Sequence, residues 1–284
     1  MYHFLRIGIV SLYVLLTGIG VLFVLALFGV YISWLTLMMA LTGWILFCFL
    51  SVYIRGPVYL FFRGRLRPPI LEEELRLQGC FEEVRKNAGF SKKIRLLVIE
   101  VEEEEVFAFN HDIIAISKSL LNKLADNELK GVFAHELGHL LSKDTWISWA
   151  FVTAADLPRM ARRIVRLFIG RLFILMLLAA ALFLFLLNSR LALPVFSVVI
   201  FFLVFSLLDG LFRWLRLAFS RLCEYRQDTY AHRLGYGAGL REGLKKMAQY
   251  GREHVNTYFI LMNGTRPVIY HRIRRLERLL DLRV

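Results

Sequence analysis

The chain has 284 residues, 57% of them hydrophobic, and a mean hydropathy of +0.55. That is too apolar for a water-soluble globule and points to membrane-spanning segments. The formal charge of +13 needs no nucleic acid to explain it: many of the arginines flank apolar runs, where they can meet anionic lipid heads, and no nucleic-acid-reading motif accompanies them.

No charged residue occurs between Arg6 and Arg55. The interval is about twice what one helix needs to cross a bilayer, so it reads as two spans, near 7–28 and 33–54, with Gly29 to Trp34 in the turn. A cleaved signal peptide does not fit the first run, which is too long, lacks a small-residue cleavage pattern and leads at once into a second span. Pro68-Pro69 then breaks the chain, and Leu71–Ala88 reads as an amphipathic helix ending at Gly89. Ile94–Val101 is rich in Ile, Val and Leu and reads as a strand. Glu102–Glu105 is a solvated acidic turn, and Val106–Phe109 and Ile113–Ile116 are two more strands around Asn110-His111-Asp112.

The next element carries the chemistry. His135-Glu136-Leu137-Gly138-His139 is a complete H-E-x-x-H zinc-hydrolase pattern. Residues four apart share one helical face, so both histidines can offer a ring nitrogen to one metal ion. Glu136 sits about 100° round, within reach of a metal-bound water without being a ligand. The flanks are helical: Asp126 or Asn127 can cap, Glu128 falls in the first turn, and Leu129, Val132, Phe133, Leu137 and Leu140 form an apolar stripe.

A second apolar pair follows, Leu172–Leu187 and Leu191–Leu208 around Asn188-Ser189-Arg190, with Pro194 suited to a first helical turn. These read as spans near 170–188 and 191–212, the competing reading being a buried hairpin of core helices. With four spans, Arg190 is the only one of 36 Lys and Arg residues on the far side. The positive-inside rule then places both termini, and everything between spans two and three, in the cytoplasm.

Two histidines do not complete a catalytic zinc site; a third protein ligand, commonly His or Glu, is expected. The last span runs without an obvious breaker into Ser220–Asp228. Glu224 and Asp228 are four apart on one face. That spacing lets the glutamate bind metal while the aspartate accepts the free N–H of a ligating histidine. Alone, the pair would read as charges on an exposed helix; beside H-E-x-x-H it reads as the missing ligand. Helical rise of about 1.5 Å per residue would put Glu224 some 15–25 Å beyond Asp209, close to the membrane surface.

At this point the chain resembles the M48 family of membrane zinc metallopeptidases, and within it the bacterial heat-shock protease HtpX group. The residues that carry the likeness are His135 to His139 with Asp144, and Ser220-Arg221 through Glu224-Tyr225 to Asp228. Arg272-Ile273-Arg274-Arg275-Leu276 adds weaker support. The resemblance implies a gluzincin-type site with one zinc per chain on His135, His139 and Glu224, Glu136 as general base, and Asp228 behind a ligand. Two departures stand out. Phe107-Ala108-Phe109 replaces the family's Asn-Ala-Phe, and Arg266-Pro267 replaces its His-Pro. Both fall where substrate or the oxyanion would be contacted, which makes Arg266, Tyr270 and His271 candidates for that contact.

The expected fold is therefore a multi-pass, mostly α-helical membrane protein with four transmembrane helices and a small α+β zincin domain. It divides into a transmembrane hairpin at 1–54, a cytoplasmic part at 55–165 with the metal helix, a second hairpin at 166–212, and a cytoplasmic part at 213–284 completing the zinc site. The expected activity is hydrolysis of peptide bonds at the cytoplasmic face of a bacterial inner membrane. The resemblance implies quality control of membrane proteins under stress, with protein or peptide substrates and the bilayer as partners. A strand beside the metal helix, Val106–Phe109, is the candidate to hold substrate by strand addition. Two other readings stay open. One is an intramembrane protease using Asp209 of Leu208-Asp209-Gly210 as third ligand; the other is a silent membrane sensor or scaffold. Cys48, Cys80 and Cys223 form neither a disulfide framework nor a metal knuckle, as fits a reducing compartment.

Overall fold

The structure is a computed structural model. It describes residues 65–142 (except 103, 110 and 111), 189–250 and 269–281, with scattered positions between 7 and 50 and between 178 and 186. The chain divides into two units, one of residues 1–51 and 149–215, the other of residues 52–148 and 216–284.

The second unit is helix-rich with one small sheet. Strand β1 (Arg65–Arg67) precedes helix α1 (Leu71–Asn87). Acidic Glu72, Glu73 and Glu74 lie in the first turn of α1 and basic Arg85 and Lys86 in its last, matching the helix dipole at both ends. Glu73 also takes the N–H of Ile70 at 3.0 Å, and Gly89 closes the helix at φ +62°. Leu77, Cys80, Phe81 and Val84 form the buried stripe of α1.

Strands β2 (Arg95–Glu100), β3 (Val106–Phe109) and β4 (Ile113–Ser117) follow. The sheet order is β1-β2-β4-β3. β2 and β4 run parallel, with Val98 opposite Ile116, while β1 and β3 are antiparallel edges. Three strands are expected, and four are present among the described residues. β1 escapes notice because Arg-Leu-Arg offers one apolar residue; Leu66 pairs with Ile99, and Arg67 forks Glu73 while reaching Glu100.

Short helix α2 (Lys118–Lys123) is capped by Ser117, whose Oγ accepts the N–H of Leu120. The metal-motif helix α3 (Asp126–Leu141) begins one residue earlier than an Asp126 cap implies and two earlier than an Asn127 cap. Ala125 is its N-cap, and the Glu128 carboxylate accepts the Ala125 N–H at 2.7 Å. Asp126 is engaged instead by Arg76, whose Nε donates to it at 2.7 Å.

Helix α4 (Ser189–Arg233) runs unbroken for 45 residues. Helices α5 (Gly237–Tyr250) and α6 (Ile269–Asp281) complete the unit. α3 and α5 cross closely: a Cβ on Gly131 would lie 2.7 Å from the Gly239 carbonyl carbon and the Leu240 Cα. Only hydrogen fits there. The core joins α1, the sheet, α3, α5 and α6 through residues such as Phe81, Ile114, Phe133, Leu137, Leu240 and Leu276.

In the first unit the expected spans 7–28, 33–54 and 170–188 lie largely outside the described residues. The fourth, 191–212, falls in the first half of α4, where the side chains of 189–206 are also outside them. Among the described residues no helix is long and apolar enough to cross a membrane.

Candidate metal centre

All residues of the candidate centre belong to the second unit. α3 packs against the sheet, α1 and α5, which makes its whole H-E-x-x-H turn interior: His135 and Glu136 are buried and His139 is half-buried. The helical repeat brings the two rings together, Nε2 to Nε2 at 3.2 Å. α4 passes beside them and presents Glu224, Gln227 and Asp228, all buried.

Glu224 closes a triangle with the histidines. Its Oε2 lies 3.4 Å from His135 Nε2 and its Oε1 lies 3.5 Å from His139 Nε2. Zinc holds nitrogen and oxygen ligands at about 2.0–2.1 Å, so a tetrahedral site has ligand–ligand edges of about 3.3–3.4 Å. The nitrogen–nitrogen edge of 3.2 Å is close to that value, Glu224 reaches one imidazole with each of its oxygens, and with one ligand atom from each residue the three lie within 4.8 Å of one another. Charge agrees as well: with His135 neutral, as a metal ligand must be, Glu136, Glu224 and Asp228 against the one buried guanidinium of Arg272 leave two formal negative charges for a divalent ion to offset. The donor set, two imidazoles and a carboxylate, suits zinc.

Asp228 stands behind His135, its Oδ1 2.9 Å from the ring Nδ1. Accepting that N–H leaves the Nε2 lone pair directed at the triangle. In the metal-free protein, burial and the nearby Arg272 charge push the His135 pKa down. Hydrogen bonds to Asp228 and Glu224 with the Asp228 charge outweigh them, and the ring titrates at about 9. Burial would raise the Asp228 carboxyl, but Arg272 and His135 hold it ionised down to about 2.

The helices are locked together close by. Gln227 Nε2 donates to Ser142 Oγ at 2.9 Å, tying α4 to the C-terminal end of α3. A Cβ on Gly138 would meet Tyr230 Cδ1 at 3.0 Å and Gln227 Cδ at 3.2 Å, with the Gln227 Oε1 nearer still. The glycine of the pentapeptide is therefore a packing requirement of the third-ligand helix.

The structure thus brings His135, His139, Glu136, Glu224 and Asp228 together. Arg266 lies outside the described residues. Tyr270 and His271 are on the exposed side of α6. The next residue, Arg272, is 5% exposed and enters the cluster instead. Its Nε and Nη2 reach the two oxygens of Asp228 at 2.9 and 2.6 Å, and its Nη1 reaches Glu224 Oε2 at 2.9 Å. In the sequence Arg272 stands out only as one residue of the Arg272-Ile273-Arg274-Arg275-Leu276 motif. The available signal was its place in the apolar stripe of α6, with Ile269, Ile273 and Leu276.

Residues 71–280 match the model of peptidase family M48. The chain is similar to a protease HtpX homolog of Bacillus licheniformis, 27% identical over 224 residues, which cover 72% of this chain and 70% of that one. It is also similar to a protease HtpX homolog of Aeropyrum pernix, 32% identical over 136 residues. There the match covers 46% of this chain and 37% of the relative, so the chain spans little more than a third of that protein. Among solved structures, Ste24p of S. mikatae superposes with a TM-score of 0.45 at 18% identity, over 85% of this chain and 64% of that one. With the family model covering most of its length, the chain belongs to peptidase family M48.

Proposed function

We propose that this protein is a membrane-anchored, zinc-dependent endopeptidase that cleaves membrane proteins at the cytoplasmic surface of the bilayer. The observation that carries the reading is the grouping of His135, His139 and Glu224, whose ligand atoms, one from each residue, all lie within 4.8 Å of one another, a donor set that suits zinc. The apolar runs of the sequence support the membrane anchor. So does the first unit, where Leu35, Met39, Leu186 and Leu207 are each more than half exposed, a display that water disfavours and lipid accepts.

Zinc on these three residues supplies Lewis acidity, acidifying a water and polarising the scissile carbonyl. The rest is the work of the chain. Glu136 takes the proton of the attacking water and returns it to the leaving amine nitrogen. Asp228 holds the His135 imidazole in the tautomer that keeps Nε2 available. β3, an edge strand packed on α3, offers the place where an extended substrate adds to the sheet.

The test is casein hydrolysis by the purified, detergent-solubilised chain, with and without chelator, alongside Glu136→Gln. Wild type is expected to be active and chelator-sensitive. The variant should keep its zinc and lose activity by about 10²–10⁴-fold, the usual worth of a general base. Turnover by Glu136→Gln at the wild-type rate would remove that residue from its role, and a zinc-loaded wild type without activity would favour a silent sensor.

A further inference from the structure

Arg272 is the buried charge that the proposed chemistry leaves unused. α4 sets Glu224 and Asp228 four residues apart on one face, both buried. Two such carboxylates repel each other, and each could rotate about its last bond. The guanidinium arrives from α6 and spans them: Nε and Nη2 form a hydrogen-bonded fork on Asp228, and Nη1 lies 2.9 Å from Glu224 Oε2 as an ion pair. One rigid plane thus orients Asp228 through two hydrogen bonds while its charge anchors Glu224, which an ammonium cannot do in the same geometry. Asp228 Oδ1, which receives Nη2, is also the atom facing His135 Nδ1. The guanidinium therefore sits behind two of the three candidate ligands, Glu224 directly and His135 through Asp228.

The geometry points to Arg272 as a positioning residue of the metal centre: it pre-orients Glu224 and Asp228, and so sets how tightly the site takes zinc, without touching metal or substrate. The inference rests on the zinc reading of the same site. Besides the α4 carboxylates, its Nη2 lies 3.3 Å from each ring nitrogen of His135. Arg275, on the same helix, meets α4 elsewhere, through Thr229 Oγ1 at 3.4 Å and the Tyr225 ring at 5.0 Å. The two arginines therefore separate a role at the site from simple docking of α6.

The experiment measures zinc dissociation constants by chelator competition on the full detergent-solubilised chain, for wild type, Arg272→Lys, Arg272→Gln and Arg275→Gln. Cobalt-substituted absorption spectra and metal-free melting temperatures are recorded beside them. Arg272→Lys and Arg272→Gln should each lose about 10–100-fold in zinc affinity, the range for partners that orient metal ligands. Both should also alter the cobalt spectrum, while Arg275→Gln stays within about twofold of wild type. Arg272→Lys keeps the charge and so serves as the second variant if Arg272→Gln fails to fold. Unchanged zinc affinity in both Arg272 variants would overturn the proposal; if KM rose at the same time, Arg272 would be a substrate contact. Full rescue by lysine would also overturn it, since charge alone would then suffice. A wild-type chain that takes up no zinc would sink the metal reading itself, and a wild type that binds zinc separates the two failures.

Discussion

Gly131→Ala tests the packing that positions the metal helix. The added methyl would sit 2.7 Å from the Gly239 carbonyl carbon and the Leu240 Cα, where ordinary contact begins at 3.4 Å. α3 and α5 must therefore part by at least about 0.7 Å, and the atoms in the way are backbone, which cannot swing aside. Overpacking of this kind costs about 1–3 kcal/mol and sometimes more. Because the obstruction is backbone the cost falls at the upper end, about 3 kcal/mol; alanine returns about 1 kcal/mol of helix propensity, so the expected net loss is about 2 kcal/mol. Gly79→Ala is the internal control. Gly79 lies exposed within α1 with nothing inside 4 Å of its would-be methyl, so the same substitution should stabilise by about 0.5–1 kcal/mol. The assay is thermal unfolding of the metal-free, detergent-solubilised protein followed by circular dichroism, with chelator present so that zinc does not contribute. At about 2–4 °C per kcal/mol for a chain of this size, Gly131→Ala should melt roughly 4–8 °C below wild type, and Gly79→Ala slightly above it. A Gly131→Ala protein as stable as wild type would refute the close crossing.

Three further outcomes follow from the site. In Gly138→Ala the obstructing atoms belong to the Gln227 and Tyr230 side chains, which can yield. The loss should be about 1 kcal/mol with a few-fold fall in zinc affinity as Gln227 leaves Ser142; unchanged values in melting and chelator competition would count against the packing. Because His135 holds a proton to about pH 9 in the metal-free protein, zinc must displace it, so affinity should rise about tenfold per pH unit between 7 and 9 and then level off. The same raised pKa stabilises the metal-free fold fully below the ordinary histidine value of about 6.5. That contribution is lost as pH climbs through 9, and a melting temperature flat over this window would speak against it. Finally, Glu224→Ala should lose bound zinc in metal analysis while Asp209→Ala keeps it, and loss in Asp209→Ala alone would transfer the third ligand to the intramembrane reading.

How much of this was legible beforehand depends on how local each feature is. His135 and His139 share a face because a helix repeats every 3.6 residues, and Glu224 and Asp228 share one for the same reason. Capping was legible only in part. The acidic first turn of α3 was visible, but Arg76, fifty residues away, engages Asp126 and leaves capping to Glu128. β1 was invisible because a three-residue strand with one apolar side chain has no period of its own; its partner across the sheet creates it. At the C-terminal end Tyr270 and His271 are candidate contacts by sequence; the turn of α6 leaves both exposed and buries the neighbouring Arg272.

The sequence by itself determined the chemistry on offer: a helix with two imidazoles and a carboxylate, a second helix with Glu224 and Asp228, and apolar runs too long for water. These follow from spacing within single elements, which backbone geometry dictates. Only the tertiary structure decided that Glu224, 85 residues after His139 in the chain, sets one oxygen 3.4 Å from the His135 ring and the other 3.5 Å from the His139 ring. It alone set Arg272 behind two ligands and brought Gly131 against Gly239. Contacts between distant segments arise from how buried faces pack. Packing depends on side-chain volume and on where the backbone can approach, and neither is written in the period of any one helix.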